Sequence, residues 1–276
     1  MNPHERHPTS PASLARTLFA HRRLIVHLAQ RAVSGRYRGS IAGLGWSLLN
    51  PLLMLAVYTF VFSVVFKARW GGAGDDSRGT FAVVLFVGIL VHGIFAECLN
   101  RAPTVVMANA NYVKKVVFPL EILLPVNMGA ALFHAAVTLV VLLGAQLLVF
   151  GAIPVTALWL PLVLLPLLLT TLGLSWLLAG VGVYVRDIGQ LVGVLTTVAL
   201  FLAPVFYPVD ALPENVRPWL YLNPLTFIIE QARAVLLWGM APDWVGLLKH
   251  GAAGLAICVG GYWAFQRLRK GFADVL

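Results

Sequence analysis

Between Ile122 and Val185 the chain carries no Asp, Glu, Lys or Arg. These 64 residues are too many for one membrane helix, since about 20 cross a bilayer. Gly151-Ala152-Ile153-Pro154 breaks the run. Gly and Pro interrupt helices, so the stretch reads as two spans, about 120–150 and 156–184. Composition agrees: 59% of residues are hydrophobic and 11% charged. A soluble domain carries about 25% charged residues, so the chain is read as an integral membrane protein. A formal charge of +9 would suggest nucleic acid in a soluble protein. Here the basic residues sit beside apolar runs, where anionic headgroups and topology explain them.

Four further spans are expected. Arg36 and Arg38 flank Tyr37, and no charged residue follows until Lys67. Arg36, Tyr37, Arg38 and Trp46 therefore mark the cytoplasmic interface where the chain passes into span one, about 46–66. Span two is about 80–99, span five about 188–205 after the short turn at Arg186-Asp187, and span six about 245–265. Residues 205–243 hold several prolines and aromatics, and the apolar run 225–238 is interrupted by Glu230 and Arg233. That run is too short and too polar to span, so it reads as re-entrant or interfacial helices. Residues 1–12 read as a disordered tail. Within 13–45, Ser13 is placed to cap an amphipathic helix reaching about Val33. Its apolar side holds Leu14, Leu18, Ile25, Leu28 and Ala32 and suits either the inner leaflet or the protein's own cytoplasmic end.

The expected fold is thus an all-α integral membrane protein with six transmembrane helices over 46–266. An N-terminal interface helix precedes them, outward re-entrant helices lie between spans five and six, and 267–276 forms a basic tail. With both termini on one side, that side holds fourteen Lys and Arg against six on the other, which makes it cytoplasmic. The first 40 residues hold seven arginines and no long apolar core with a small-residue cleavage site, so no cleavable signal peptide is expected. Cys98 and Cys258 lie in apolar segments and read as packing residues rather than as a disulfide or metal site.

Several chemistries lack their residues. No Gly-Lys pair exists, so a phosphate loop for ATP is absent from this sequence. There is no His-Glu-x-x-His motif and no Gly-x-Ser-x-Gly elbow. Polar groups within the spans (His134, Asn127, Gln146, Thr170, Thr171, Ser175, Thr196, Thr197) are expected to form interhelical hydrogen bonds. Glu97 and Glu121 fall near membrane ends and are expected to be solvated. The segment Asn109 to Pro119 has two lysines and a tyrosine among apolar residues. By its residues alone it is either a juxtamembrane anchor or a short helix that docks on a partner. Glu230 is either a gate element by position or a helix-surface charge near Arg233.

Five stretches carry a resemblance that covers nearly the whole chain. They are Arg36-Tyr-Arg-Gly-Ser with Gly43-x-x-Trp-Ser-Leu-Leu-Asn-Pro, Asn109-Ala-Asn-Tyr-Val-Lys-Lys-Val-Val-Phe-Pro, Tyr184-Val-Arg-Asp-Ile-Gly, Pro204-Val-Phe-Tyr-Pro with Leu222-Asn-Pro-Leu-Thr, and the terminal Gly-Phe-Ala-Asp-Val-Leu. In order and spacing they resemble the permease subunits of type-2 ABC exporters, in the branch that exports O-antigen, capsule or teichoic acid. The resemblance implies a homodimer in the inner membrane with two copies of an ABC ATPase subunit. ATP and Mg would sit on that partner, with no cofactor on this chain and no nucleic acid. The cargo would be a lipid-linked polysaccharide. Asn109, Asn111, Tyr112, Lys114, Lys115 and Phe118 would couple to the ATPase, and Arg186 and Asp187 would form a cytoplasmic turn. Tyr207, Trp219, Tyr221 and Glu230 would form an outward gate. Tyr58, Phe201 and Tyr207 are candidates to stack against sugar rings. The competing readings are a type-2 exporter of drugs or small lipophiles, a membrane enzyme acting on polyprenyl lipids, and a passive channel. The enzyme would need clustered acids or histidines, and Glu97, Glu121 and His134 are scattered in the sequence.

Overall fold

The computed structural model describes residues 10–40, 42–43, 45–65, 78–114 and 118–275, and its regular structure is helical throughout. Lys115, most of the 67–79 loop and the first nine residues lie outside the described residues. Ser10, rather than Ser13, caps the first helix: its side chain accepts from the Ser13 amide, and Pro11 fills the first position, where a missing N–H is tolerated. The expected single helix is two, α1 (Pro11–Ala20) and α2 (Arg22–Arg36), broken at His21, whose Nδ1 lies 3.0 Å from the Thr17 carbonyl. α3 (Gly45–Tyr58) continues as a π-helical stretch, Thr59–Val65. α4 (Arg78–Val105) runs through Pro103, so the second span is longer than its sequence suggested. α5 (Ala110–Lys114) is short, and α6 (Leu123–Phe150) stops where Gly151 turns left-handed at φ 73°. α7 (Leu160–Tyr184), α8 (Ile188–Phe201), α9 (Arg217–Leu220) and α10 (Pro224–Leu236) follow, then α11 (Trp244–Leu268) and α12 (Phe272–Val275).

Among the described residues, four helical stretches are long and apolar enough to cross a membrane: Gly79–Val105, Leu120–Phe150, Val155–Tyr184 and Trp244–Val275. Two more, Gly45–Val61 and Ile188–Phe201, are apolar but shorter. α8, at 14 residues, is about 21 Å long against a hydrocarbon core of about 30 Å.

The bundle is built around α4 and α7, which pack on each other. α6, α8 and α10 close on α4, while α11 lies along α7. The α7–α11 crossing is close because glycines meet there: a Cβ on Gly173 would strike the Ile257 carbonyl, and one on Gly261 would strike Gly173 itself. Small residues of this kind let membrane helices approach where apolar burial alone gives little preference over lipid. α3 packs mainly on α6 and leaves Leu48, Leu49, Leu52, Leu53 and Met54 exposed. That surface suits lipid or another chain, not water. The apolar side of the N-terminal pair is used on the protein: Leu14 is buried among Ala102, Val106 and Leu120, and Ala29 faces Gly129 of α6.

α10 departs most from its sequence. The run read as too short and too polar to span is not among the bilayer-length helices, yet it has Leu225–Ile229, Ala232, Arg233, Val235 and Leu236 inside, against α4 and α7. Its first turn is capped by Asn223, whose Oδ1 accepts from the Leu225 amide at 3.0 Å. Carbonyls near its last turn receive bonds from elsewhere: Gln146 Nε2 donates to Leu236 O at 2.6 Å and the Thr156 hydroxyl to Val235 O at 2.7 Å. Without such partners, carbonyls at a buried helix end would each cost about 1–3 kcal/mol.

Candidate functional site

Three segments converge at the end of the bundle where α4 finishes. The first is the turn-and-helix unit from Met107 to Lys114 with Phe118. Asn109 Nδ2 donates to Val105 O at 2.8 Å, which ties the unit to the last turn of α4. The Tyr112 and Phe118 rings stack at 4.5 Å and lean on the apolar cluster of Trp176, Tyr262 and Phe265. Asn111 is exposed, and Lys114 ends α5. The second segment is the turn from Tyr184 to Ile188, with Arg186 and Asp187 both exposed. The third is the C-terminal segment: Phe272 is fully buried, and Tyr184 donates to Leu268 O at 2.7 Å.

A buried ion pair holds this end together. Arg269 donates to Glu121 at 2.7 Å and to Phe118 O at 3.1 Å, and the Arg269 and Glu121 side chains are 14% and 9% exposed. Glu121 is therefore paired, not solvated as expected. An acid at this depth needs a cation, and one comes from residue 269, 148 positions away.

Glu97 is corrected in the same way. It sits eight residues before the end of α4, about 12 Å inside along the axis. Its carboxylate accepts from Arg36 at 2.7 Å, lies 3.0 Å from His134 Nδ1 and stands 3.5 Å from Arg101. Tyr37 meets the His134 ring edge-on at 6.0 Å. Arg36, expected among headgroups, thus fixes the end of α2 to α4 and α6, while Arg38 and Trp46 remain exposed. His134 makes the interhelical bond expected of it, from α6 to Glu97 of α4, and through it joins this ionic cluster. The other intramembrane polar groups divide. Asn127 donates to Cys98 O, Gln146 to Leu236 O and Thr196 to Asn100, all between helices. Thr170 and Thr197 bond back within their own helices, and the Thr171 and Ser175 hydroxyls are buried with no hydrogen-bond partner.

The opposite end carries the second group of expected residues. Tyr207 donates to Phe201 O at 2.9 Å, so these two share one turn, whereas Tyr58 lies on α3. Trp219 is 71% exposed. Tyr221 donates to Glu230 Oε2 at 2.8 Å. Burial and this bond push the Tyr221 phenol up to about 12, which keeps it a neutral donor. Arg233 is 4% exposed and donates to Val84 O at 3.1 Å, Pro204 O at 2.6 Å and Val205 O at 3.1 Å. It joins α10, the turn after α8 and the start of α4. The sequence offered Arg233 only as a nearby charge for Glu230, whose carboxylate instead accepts from Tyr221. The missed signal was a cation in a helix whose other inward positions are apolar. Trp159 and Trp244 meet at 5.1 Å near this end, as aromatics do at a membrane interface.

Apolar helices of bilayer length, flanked at one end by a compact polar unit and at the other by a short buried helix, define a multi-pass membrane protein. Residues 23–237 match the ABC-2 type transporter family, and the chain belongs to it. It is similar to the O-antigen export system permease protein RfbA of Myxococcus xanthus, with 29% identity over 95% of this chain and 98% of that protein. A Klebsiella pneumoniae protein of the same name is 25% identical over 92% of this chain and 95% of its own length. The polysialic acid transport protein KpsM of Escherichia coli is 21% identical over 85% and 89%.

Proposed function

We propose that this chain is the membrane-spanning subunit of an ATP-driven exporter that moves a lipid-linked polysaccharide across the inner membrane. The observation that carries this reading is end-to-end similarity to permeases named for O-antigen export. The sequence has no phosphate loop, so ATP and Mg belong to a separate ABC ATPase, two copies of which serve a homodimer of this chain. Both termini are cytoplasmic by the distribution of Lys and Arg. α3 with its π-helical extension and α8 complete a set of six spans. α9 and α10 form the outward re-entrant region: α10 is too short to cross, and Asn223 donates back to Ala199 O near the end of α8.

In this mechanism the ATPase docks on Asn109, Asn111, Tyr112, Lys114, Lys115 and Phe118, beside the Arg186-Asp187 turn. The tie of Asn109 to Val105 and the Arg269 bond to Phe118 O transmit its movement into α4 and α11. The outward gate consists of Tyr207, Trp219 and the Tyr221–Glu230 pair. Phe201, Tyr207 and Tyr58 offer aromatic faces to sugar rings. The test is co-purification of tagged chain with its native operon. A stoichiometric ATPase with lipid-linked sugar in the eluate is expected. A chain that never retains an ATPase under several mild extractions overturns the reading and favours a polyprenyl-lipid enzyme or a channel.

A further inference from the structure

A cavity of about 510 Å³ lies between α2, α4, α5 and α6. Three helices each present one face to it at helical spacing. Leu28, Arg31 and Ala32 come from α2, Arg101, Thr104 and Val105 from α4, and Leu123, Val126 and Asn127 from α6. Asn109 and Tyr112 line the remaining side. The volume falls in the range of small-molecule sites, about 300–1,000 Å³.

Its chemistry is amphiphilic. Leu28, Leu123 and Val126 supply apolar wall, and Arg31 and Arg101 supply charge. No carboxylate lines it. The nearest acid is Glu97, which already accepts from Arg36 at 2.7 Å and stands 3.5 Å from Arg101. Two guanidinium groups, those of Arg36 and Arg101, therefore share this one carboxylate, and Arg31 is not among its partners. Among the described residues Arg31 forms no ion pair or hydrogen bond, and neither does the Tyr112 hydroxyl. The amide nitrogens of Asn109 and Asn127 are already spent on Val105 O and Cys98 O. Among the described residues, what remains unsatisfied around the cavity is the positive charge of Arg31 and one hydroxyl. Basic pockets between membrane helices on the cytoplasmic side take anionic lipid headgroups.

We propose that this cavity is a binding site for the phosphate of an anionic lipid headgroup, with Arg31 and Arg101 as the anion-binding side chains and the Tyr112 hydroxyl as an added donor. The phosphate chemistry stands on the cavity; whether the lipid is bulk phospholipid or the carrier of an export cargo rests on the exporter reading above. A phosphate-headed lipid fits this lining because two guanidinium groups stand beside an apolar wall of Leu28, Leu123 and Val126.

The test is lipid binding by the purified full chain in detergent, measured by native mass spectrometry. The probes are undecaprenyl phosphate, phosphatidylglycerol, phosphatidylcholine and orthophosphate. Wild-type protein should bind the two anionic lipids over phosphatidylcholine. Arg31→Gln, on an exposed position with no bonds to lose, should weaken that binding about fivefold, and Arg31→Lys should restore most of it. A preference for undecaprenyl phosphate assigns the site to the cargo carrier, equal binding of phosphatidylglycerol assigns it to the inner leaflet, and full competition by orthophosphate assigns it to phosphate alone. Unchanged lipid binding in Arg31→Gln overturns the proposal. So does a photo-crosslinker at Ala108 that captures a polypeptide in place of lipid. Either failure leaves ATPase co-purification untouched, and a missing ATPase leaves the binding result standing.

Discussion

Replacing Arg233 by Met should destabilise the end of the bundle remote from the coupling segment. The guanidinium donates to three carbonyls, Val84 O, Pro204 O and Val205 O. Val84 lies inside α4, so its carbonyl retains a helical partner. Pro204 and Val205 sit in the turn after α8 and are buried or nearly so. Each orphaned buried acceptor costs about 1–3 kcal/mol, which gives roughly 2–6 kcal/mol for the two. Met fills a similar volume, and the several kcal/mol of charge burial that it relieves is offset by the loss of the guanidinium's own bonds, so the orphaned acceptors set the net. The net expectation is a loss of about 3 kcal/mol, or roughly 6–12 °C in melting temperature for a chain of this size. The assay is thermal unfolding in nanodiscs followed by tryptophan fluorescence, with hydrogen exchange at residues 202–206 as the local readout. Arg233→Lys should fall between, since one ammonium cannot fork across the start of α4 and the 204–205 turn together. A Met variant that melts with wild type and keeps the 202–206 amides protected would refute the clamp.

Gly261→Val should separate α7 from α11, because its Cβ alone would strike Gly173, and the variant should lose its single peak on fluorescence-detected size exclusion. Arg269→Gln should cost about 3–5 kcal/mol by leaving Glu121 buried without its cation, and Glu121→Gln in the same chain should recover part of it. The double-mutant coupling energy should exceed about 1 kcal/mol; additive effects would mean that the pair does not interact energetically. Tyr112→Ala removes the ring stacked on Phe118 and should leave expression intact while ATP hydrolysis in the assembled complex no longer drives export. Wild-type export in that variant would remove Tyr112 from the coupling role.

What the sequence disclosed and what it hid divide along one physical line. The uncharged run from Ile122 to Val185, its break at Gly151 and the spacing of apolar residues are local, and the helices stand close to where local patterning put them. The short turn at Arg186-Asp187 was legible for the same reason. Pairing of charge was not. Glu97 finds Arg36 at a separation of 61 residues and His134 at 37. Arg233 reaches Val84 across 149. Helical periodicity carries no information about such partners, so Glu97 and Glu121 were assigned to the solvent at the nearest membrane end. A stricter rule would have served better: a charge flanked by apolar residues on its own helix face needs a partner from another helix. α10 shows the cost of ignoring that rule. Its two charged residues made it look superficial, yet one of them is what permits its burial.

Those long-range pairs also explain how two ends of a bundle with little polar surface between them can be related mechanically. α4 meets Arg233 through Val84, α2 through Glu97, α8 through Asn100 and the coupling unit through Val105. At 28 residues it is a rod of about 42 Å. The apolar contacts along it are non-directional and tolerate sliding, whereas the four polar contacts are directional and hold only over a narrow range of distance. In the mechanism proposed above, a push of the ATPase on the Met107–Lys114 unit is therefore not absorbed gradually along α4. The rod either stays seated in all four contacts or exchanges them, and contacts of this discrete kind are what give a packed bundle alternative seatings rather than a continuum.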